Sequence, residues 1–155
     1  MASTITPATM TVTVSESVTL NGVNQGGTQT LSIPLIATLS KRIVDVPTAE
    51  VEIIAMSTAV AAGTFIESDV MYIRITNLDD TNHVTLTFKD EDNTEVAFLL
   101  DKGQSFIYNG DLSAGVVNTM HASGSALTVS LNDLVNVTAL ADTAACDLEV
   151  VVACK

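Results

Sequence analysis

The stretch NHVTLTFKDEDNTEVAFLL, residues 82–100, decides how the chain is read. Val84, Leu86 and Phe88 alternate with Thr85, Thr87 and Lys89; after a polar run, Val96, Phe98 and Leu100 alternate again. That is the period of two half-buried strands. Setting Lys89 opposite Glu95 makes Phe88 face Val96, Leu86 face Phe98 and Val84 face Leu100. Both apolar sets then share one face, and an ion pair closes the turn. A slip of one residue would oppose apolar side chains to polar ones. A hairpin with residues 90–94 as its loop is therefore expected.

The loop holds Asp90, Glu91 and Asp92, with Glu95 just beyond. A calcium site takes about six to eight oxygens, and hand-type loops space them alternately around a glycine. This loop has no glycine. The preferred reading is a solvated turn that also discourages edge-to-edge pairing. Asp90, Glu91 and Asp92 stand as the calcium candidates behind it, and no cofactor is expected.

The same period runs outward on both sides. TMTVTVSESVTLNG (9–22) sets Val12, Val14, Val18 and Leu20 on one face, with Glu16 interrupting it, so a bulge or edge position is expected there. NGVNQGG (21–27) reads as a flexible connection. TQTLSIPLIATL (28–39) alternates at Leu31, Ile33 and Leu35, and Pro34, lacking an N–H, implies a sheet edge or a break. KRIVDVP and AEVEIIAMS give two more strands, and AVAAGT (59–64) one helical turn. DVMYIRIT, HVTLTFK, EVAFLL and QSFIYN read as an antiparallel meander, with Asp101-Lys102-Gly103 as a tight turn. DLSAGVVNTMHASGSA is loop-like, and ALTVSL, DLVNVTAL and DLEVVVA are later strands. About ten short strands without helical period predict an all-β, antiparallel β-sandwich of jelly-roll or immunoglobulin-like kind. With 155 residues and no composition break, residues 1–155 read as a single domain, residues 1–10 forming an extended N-terminal arm.

Charge narrows the partners. Lys and Arg number 6 against 18 Asp and Glu, a formal net charge of -12. A phosphate backbone or an anionic membrane surface would be repelled, so nucleic acid and membrane are excluded as partners. No run approaches the roughly 20 apolar residues of a membrane span. MASTITPATM lacks the basic region and apolar core of a secretory signal, so a cytoplasmic site of synthesis and assembly is expected. Hydrophobic residues are 47% of the chain but aromatics only 4%. Such a composition favours strands over an aromatic-lined pocket. A mean hydropathy of +0.41 beside that charge implies apolar surface covered by further copies of the chain.

Little chemistry is visible. NLDDTNH offers Asp79, Asp80 and His83, but His121 is the only other histidine and the cysteines lie far along the chain. Zinc spacing is not met; a loop whose Asp and Asn bond their own backbone is preferred. There is no nucleophile elbow and no phosphate cradle, so no enzyme is expected. Asn136-Val137-Thr138 matches a glycosylation acceptor by chance. On one straight strand Cys146 and Cys154 would lie about 25 Å apart, at ~3.3 Å per residue. A disulfide needs Cα atoms within about 7 Å, so reduced thiols are expected.

SKRIVDVPTAEVEIIAMS (40–57), GTFIESDVMYIRITNLDDTNHVTLTF (63–88), VAFLLDKGQSFIYNG (96–110) and the ending TAACDLEVVVACK together resemble small virion structural proteins of tailed bacteriophages, of the marine and cyanophage type. The likeness runs from about residue 9 to the end and rests on strand and turn patterns. It implies a non-enzymatic capsid decoration or cement protein on the head surface of the virion, assembled in the host cytoplasm. Its partners would be the major capsid protein or other virion proteins and its own copies, with a trimer expected. The alternative it implies is a tail fibre or baseplate accessory module contacting host surface glycans. Interface candidates are Glu16, on a strand that would cross to a neighbouring subunit, Pro34, and the basic pair Lys41 and Arg42.

Overall fold

The computed structural model describes residues 4–112, 115–116 and 131–155. In chain order the strands are β1 (Ala8–Ser15), β2 (Thr19–Leu20), β3 (Val23–Asn24), β4 (Thr28–Ile36), β5 (Thr38–Val46), β6 (Val51–Ser57), β7 (Phe65–Ile66), β8 (Val70–Asn77), β9 (Val84–Asp90), β10 (Glu95–Leu100), β11 (Ser105–Asn109), β12 (Leu134–Ala141) and β13 (Cys146–Cys154). A 3-10 turn, Glu67–Asp69, precedes β8. It replaces the helical turn expected at residues 59–64.

Two sheets make the body. The front sheet runs β11-β8-β13-β5, and the back sheet β10-β9-β12-β6 with β7 added parallel to β6. All other neighbours are antiparallel. From β5 to β6, β8 to β9, β10 to β11 and β12 to β13 the chain steps from one sheet to the other. That interlocked order is a jelly roll, which settles the choice left open against an immunoglobulin-like sandwich.

The meander expected from β8 to β11 is corrected. β8 pairs with β11 and β13, while β9 pairs with β10 and β12. The cause is the connection after β8. Asn77 is fully buried, and its side-chain amide donates to the Asn82 carbonyl at 2.9 Å and the Leu100 carbonyl at 3.2 Å. This locks the step into the back sheet, so the β9–β10 hairpin folds over rather than beside β8. Within that hairpin the expected register is observed: Glu95 opposite Lys89, Val96 opposite Phe88, Phe98 opposite Leu86.

The core lies between the sheets. Ile54, Ile73, Ile75, Leu86 and Leu148 are all fully buried there. Burying each such side chain is worth about 1.5–3 kcal/mol against leaving it in water. Phe88, Phe98 and Phe106 close the β10–β11 corner, with Phe88 and Phe106 centroids 4.8 Å apart.

A third layer covers part of the front sheet. β1 and β4 pair into a ribbon, with Met10 opposite Ile33 and Val12 opposite Leu31. Val12 and Ile33 pack on Met71, Tyr72, Val151 and Ala153, the outward side chains of β8 and β13. The segment 21–27 is not a flexible connection. Asn21 and Gly22 both have positive φ, 51° and 79°, and turn β2 into β3. That is the backbone an Asn-Gly hairpin turn requires. At the ribbon's neck, a side chain on Gly26 would collide with the Glu16 carbonyl. Pro34 marks the break expected of it: the pairing shifts between Ala8 and Met10, and Leu35 takes φ 63°. β1 thus lies, with β4, on its own chain's front sheet. Residues 4–7 of the expected arm are exposed and outside any strand, whereas residues 8–10 belong to β1. His121 and most of the strand expected at 126–131 lie outside the described residues.

Candidate functional site

Strand alternation and register arrange the outer face of the front sheet into rows. Ser105, Thr76, Glu149 and Ile43 form one, Ile107, Arg74, Val151 and Lys41 the next, and Asn109, Tyr72, Ala153 and Leu39 the third. The ribbon seals the middle of this face over Tyr72, Val151 and Ala153. It leaves the β5 flank open: Leu39 is 61% and Ile43 64% exposed.

Between those apolar side chains runs a charged ladder. Glu149 takes Lys41 Nζ at 2.8 Å on one carboxylate oxygen and the Arg74 guanidinium on the other. Arg74 also donates to Thr76 Oγ1 at 2.6 Å. The Lys41 hydrogen bond, then that of Arg74, holds the Glu149 carboxyl below its ordinary range. The basic pair singled out in the sequence is therefore split. Lys41 faces outward, whereas Arg42 faces the other side of β5 and its guanidinium caps the Ile53 carbonyl. Glu16 and Pro34 sit at opposite ends of the ribbon, away from both.

Next to the ladder, Asp45 is directly opposite Asp147. These two, with Leu78, Asp79, Asp80 and Ala145, line an open cleft of about 510 Å³. Asp79 accepts from the backbone N–H groups of Asn82 (2.6 Å) and Thr81 (2.7 Å), which lowers its pKa. The loop thus bonds its own backbone, as its Asp and Asn content implied. His83 Nδ1 lies 3.9 Å from an Asp142 oxygen.

The acidic hairpin loop is organised by one side chain. Asp90 is buried, and its Oδ1 accepts from the N–H groups of Asp92 (3.0 Å) and Thr94 (2.6 Å). Asn132 Nδ2 donates to both Asp90 Oδ2 and Asp92 Oδ2 at 3.0 Å, so an amide bridges two of the three calcium candidates. Glu91 uses its backbone N–H to bond the Asp133 carbonyl. Among the described residues, no group of three or more His, Cys, Asp or Glu is placed to hold a metal ion. Lys89 bonds Glu50 at 2.9 Å and Glu95 at 3.1 Å, and these bonds raise its pKa, Glu50 more strongly. Burial, then Asp133 and Glu91, pushes the nearby Glu67 carboxyl up.

The remaining sequence signals fall on the body. Asn136 and Thr138 stand on β12 and donate to Glu52 and Glu50, at 3.0 and 2.6 Å. Cys146 and Cys154 are free, buried, and at opposite ends of β13. Burial pushes the Cys154 thiol up to about 11.

Two features were not anticipated from sequence. The open β5 flank was hidden because TLSKRIVDV mixes apolar and charged residues on both faces, so its sequence does not say which face stays uncovered. The ribbon's seat did leave a signal: VMYI (70–73) and VVVAC (150–154) are apolar without alternation, the mark of strands covered on both faces.

No protein-family model matches the chain, and no curated protein matches it. Among solved structures, it is similar to a chain described under "Bacillus endospore appendages form a novel family of disulfide-linked pili". The TM-score is 0.43 and the identity 11%, over 100% of this chain and 95% of that chain. So loose an overlap assigns neither family nor activity.

Proposed function

We propose that this chain is a non-enzymatic virion structural protein of a tailed phage, decorating the capsid shell and reinforcing it through side-on contacts. The observation that carries this reading is the open flank of the front sheet. Leu39 and Ile43 stand out of a rigid jelly roll on either side of Lys41, at 61% and 64% exposure. Two exposed apolar side chains grouped on one sheet flank suit a surface used for assembly. The phage resemblance of the strand and turn patterns supplies the setting. The acidic remainder, part of a net charge of -12, keeps coated particles apart in solution.

The test is copy number in purified particles, by quantitative peptide mass spectrometry against the major shell protein. A number comparable to the shell protein is expected. A number about ten to a hundred times lower would move the protein to a tail appendage, where few copies are needed. Absence from the particle would overturn the virion reading.

A further inference from the structure

We infer that β5 pairs antiparallel with β5 of a second copy, joining two front sheets across a two-fold axis. β5 is a nine-residue strand at the end of its sheet. Among the described residues no strand pairs with its far side. A long edge strand carrying exposed apolar side chains is a template for another strand. Lysine on such a strand ordinarily deters pairing, but the Lys41 ammonium spends one of its three donors on Glu149 at 2.8 Å and, 61% exposed, keeps the others for a carboxylate across the edge.

The occupant follows from charge and register. Outward side chains must meet outward ones, which leaves a handful of symmetric alignments. Centring on Lys41 or Asp45 would oppose like charges, and centring on Arg42 would do so on the inner side. Centring on Val44 would set Ile43 against a partner aspartate. Centring on Ile43 alone sets Ile43 against its own copy and Lys41 against the partner's Asp45, twice over. Opposite charges directly across an antiparallel pair stabilise it, whereas like charges destabilise it.

Within one chain Asp45 faces Asp147, two carboxylates directly opposite each other. Neither has an ion pair among the described residues. A lysine arriving from the second copy supplies the cation that this pair lacks. The contact is isologous, as a two-fold requires, and it stands independently of the virion reading.

The experiment is cross-linking and sedimentation on the full chain. In the proposed register Ile43→Cys sets two thiols on residues whose Cα atoms are about 4.5–5.5 Å apart. A disulfide spans about 4.4–6.8 Å, so mild oxidation should give a covalent dimer. Leu39→Cys, which would face the partner's Pro47, should not. The native thiols stay out of the reaction because Cys146 and Cys154 are only 1% and 7% exposed.

Asp45→Lys separates pairing from folding. It removes the Asp45–Asp147 opposition within the chain, so thermal stability should hold or rise. It also sets lysine against lysine across the two-fold, so the dimer should weaken by about tenfold or more. A wild type that stays monomeric at every concentration, together with no cross-link from Ile43→Cys, would overturn the proposal. So would an Asp45→Lys protein that dimerises as well as wild type, because the contact would then lie elsewhere.

Discussion

Two hairpins in this protein share a sequence period and have different fates. β9 alternates Val84, Leu86, Phe88 and buries all three between the sheets, at 0%, 0% and 5% exposure. β1 alternates Met10, Val12, Val14 just as regularly, yet Val12 is buried at 8% while Val14 is 43% exposed. The hairpin containing β9 closes the main core. The ribbon containing β1 lies on top of a sheet that is already complete, and its far end overhangs. A period of two says that a strand has two faces; it does not say how much of either face will be covered.

The sharpest way to break the comparison is to remove one buried side chain from each. Leu86→Ala opens a cavity in the main core and should cost about 2–5 kcal/mol of global stability, read by urea denaturation. Ile33 is equally buried, at 0%, but beneath a surface layer. Ile33→Ala should cost about 2 kcal/mol, the low end for that class of change. The loss should be mostly local. Hydrogen exchange should show the β1 and β4 amides losing protection while β8 and β9 keep theirs. If both variants melt every strand together, the ribbon is not a separate layer.

The turns contrast in the same manner. The β2–β3 turn is held by backbone geometry at Asn21 and Gly22. The β9–β10 turn is held by a buried carboxylate that accepts from Asp92, Thr94 and Asn132. Asp90→Ala would orphan those donors, at about 1–3 kcal/mol for a buried unsatisfied group. Asp90→Asn should recover part of the loss, since one side-chain oxygen remains to accept. A calcium titration of the melting temperature bears on the same loop. With Asn132 bridging Asp90 and Asp92, no shift is expected.

How much was legible follows from which interactions are local. The β9–β10 register could be read from residues 82–100 because cross-strand neighbours and the Lys89–Glu95 pair all sit within that stretch. The sandwich followed from the number of such strands. Sheet membership did not follow, because it turns on Asn77 reaching Leu100, a contact between distant segments. The Asn21-Gly22 turn was legible in principle, since that dipeptide is a strong hairpin signal; the neighbouring glycines suggested slack instead. The candidate surface was the least visible. Lys41 and Arg42 read as one basic pair, and only the strand's alternation against β13 parts them.

A smaller effect lies where ribbon and body join. Leu35 holds φ 63° at 65% exposure, near the end of the covered strand β4 just before the chain passes to the open strand β5. A leucine in the left-handed region costs about 1–2 kcal/mol, and so exposed a side chain gives little burial in return. Leu35→Gly should therefore stabilise the fold by up to about 1 kcal/mol once the greater freedom of glycine in the unfolded chain is subtracted. Leu35→Val, branched at Cβ, should do the reverse. Differential scanning calorimetry of the three proteins decides the order.

The smallest effect distinguishes the open flank from the sealed centre of the same sheet. Tyr72 and Ala153 are sealed by packing, whereas Glu149 is held by Lys41 and Arg74, whose bonds lower its pKa from an ordinary 4.5. A carboxylate with a lowered folded-state value contributes stability above its unfolded value and loses it as pH falls through the folded one. Glu149→Gln should therefore be less stable than wild type at neutral pH. The gap should close as the pH drops below about 4.5. Because Lys41 is 61% exposed, added salt should narrow the gap at neutral pH as well. Val151→Ala, two residues along β13 on the same face but under the ribbon, should show a deficit that neither acid nor salt removes. If its deficit closes with acid as that of Glu149→Gln does, the ribbon's seat is not the apolar seal that sets the two flanks apart.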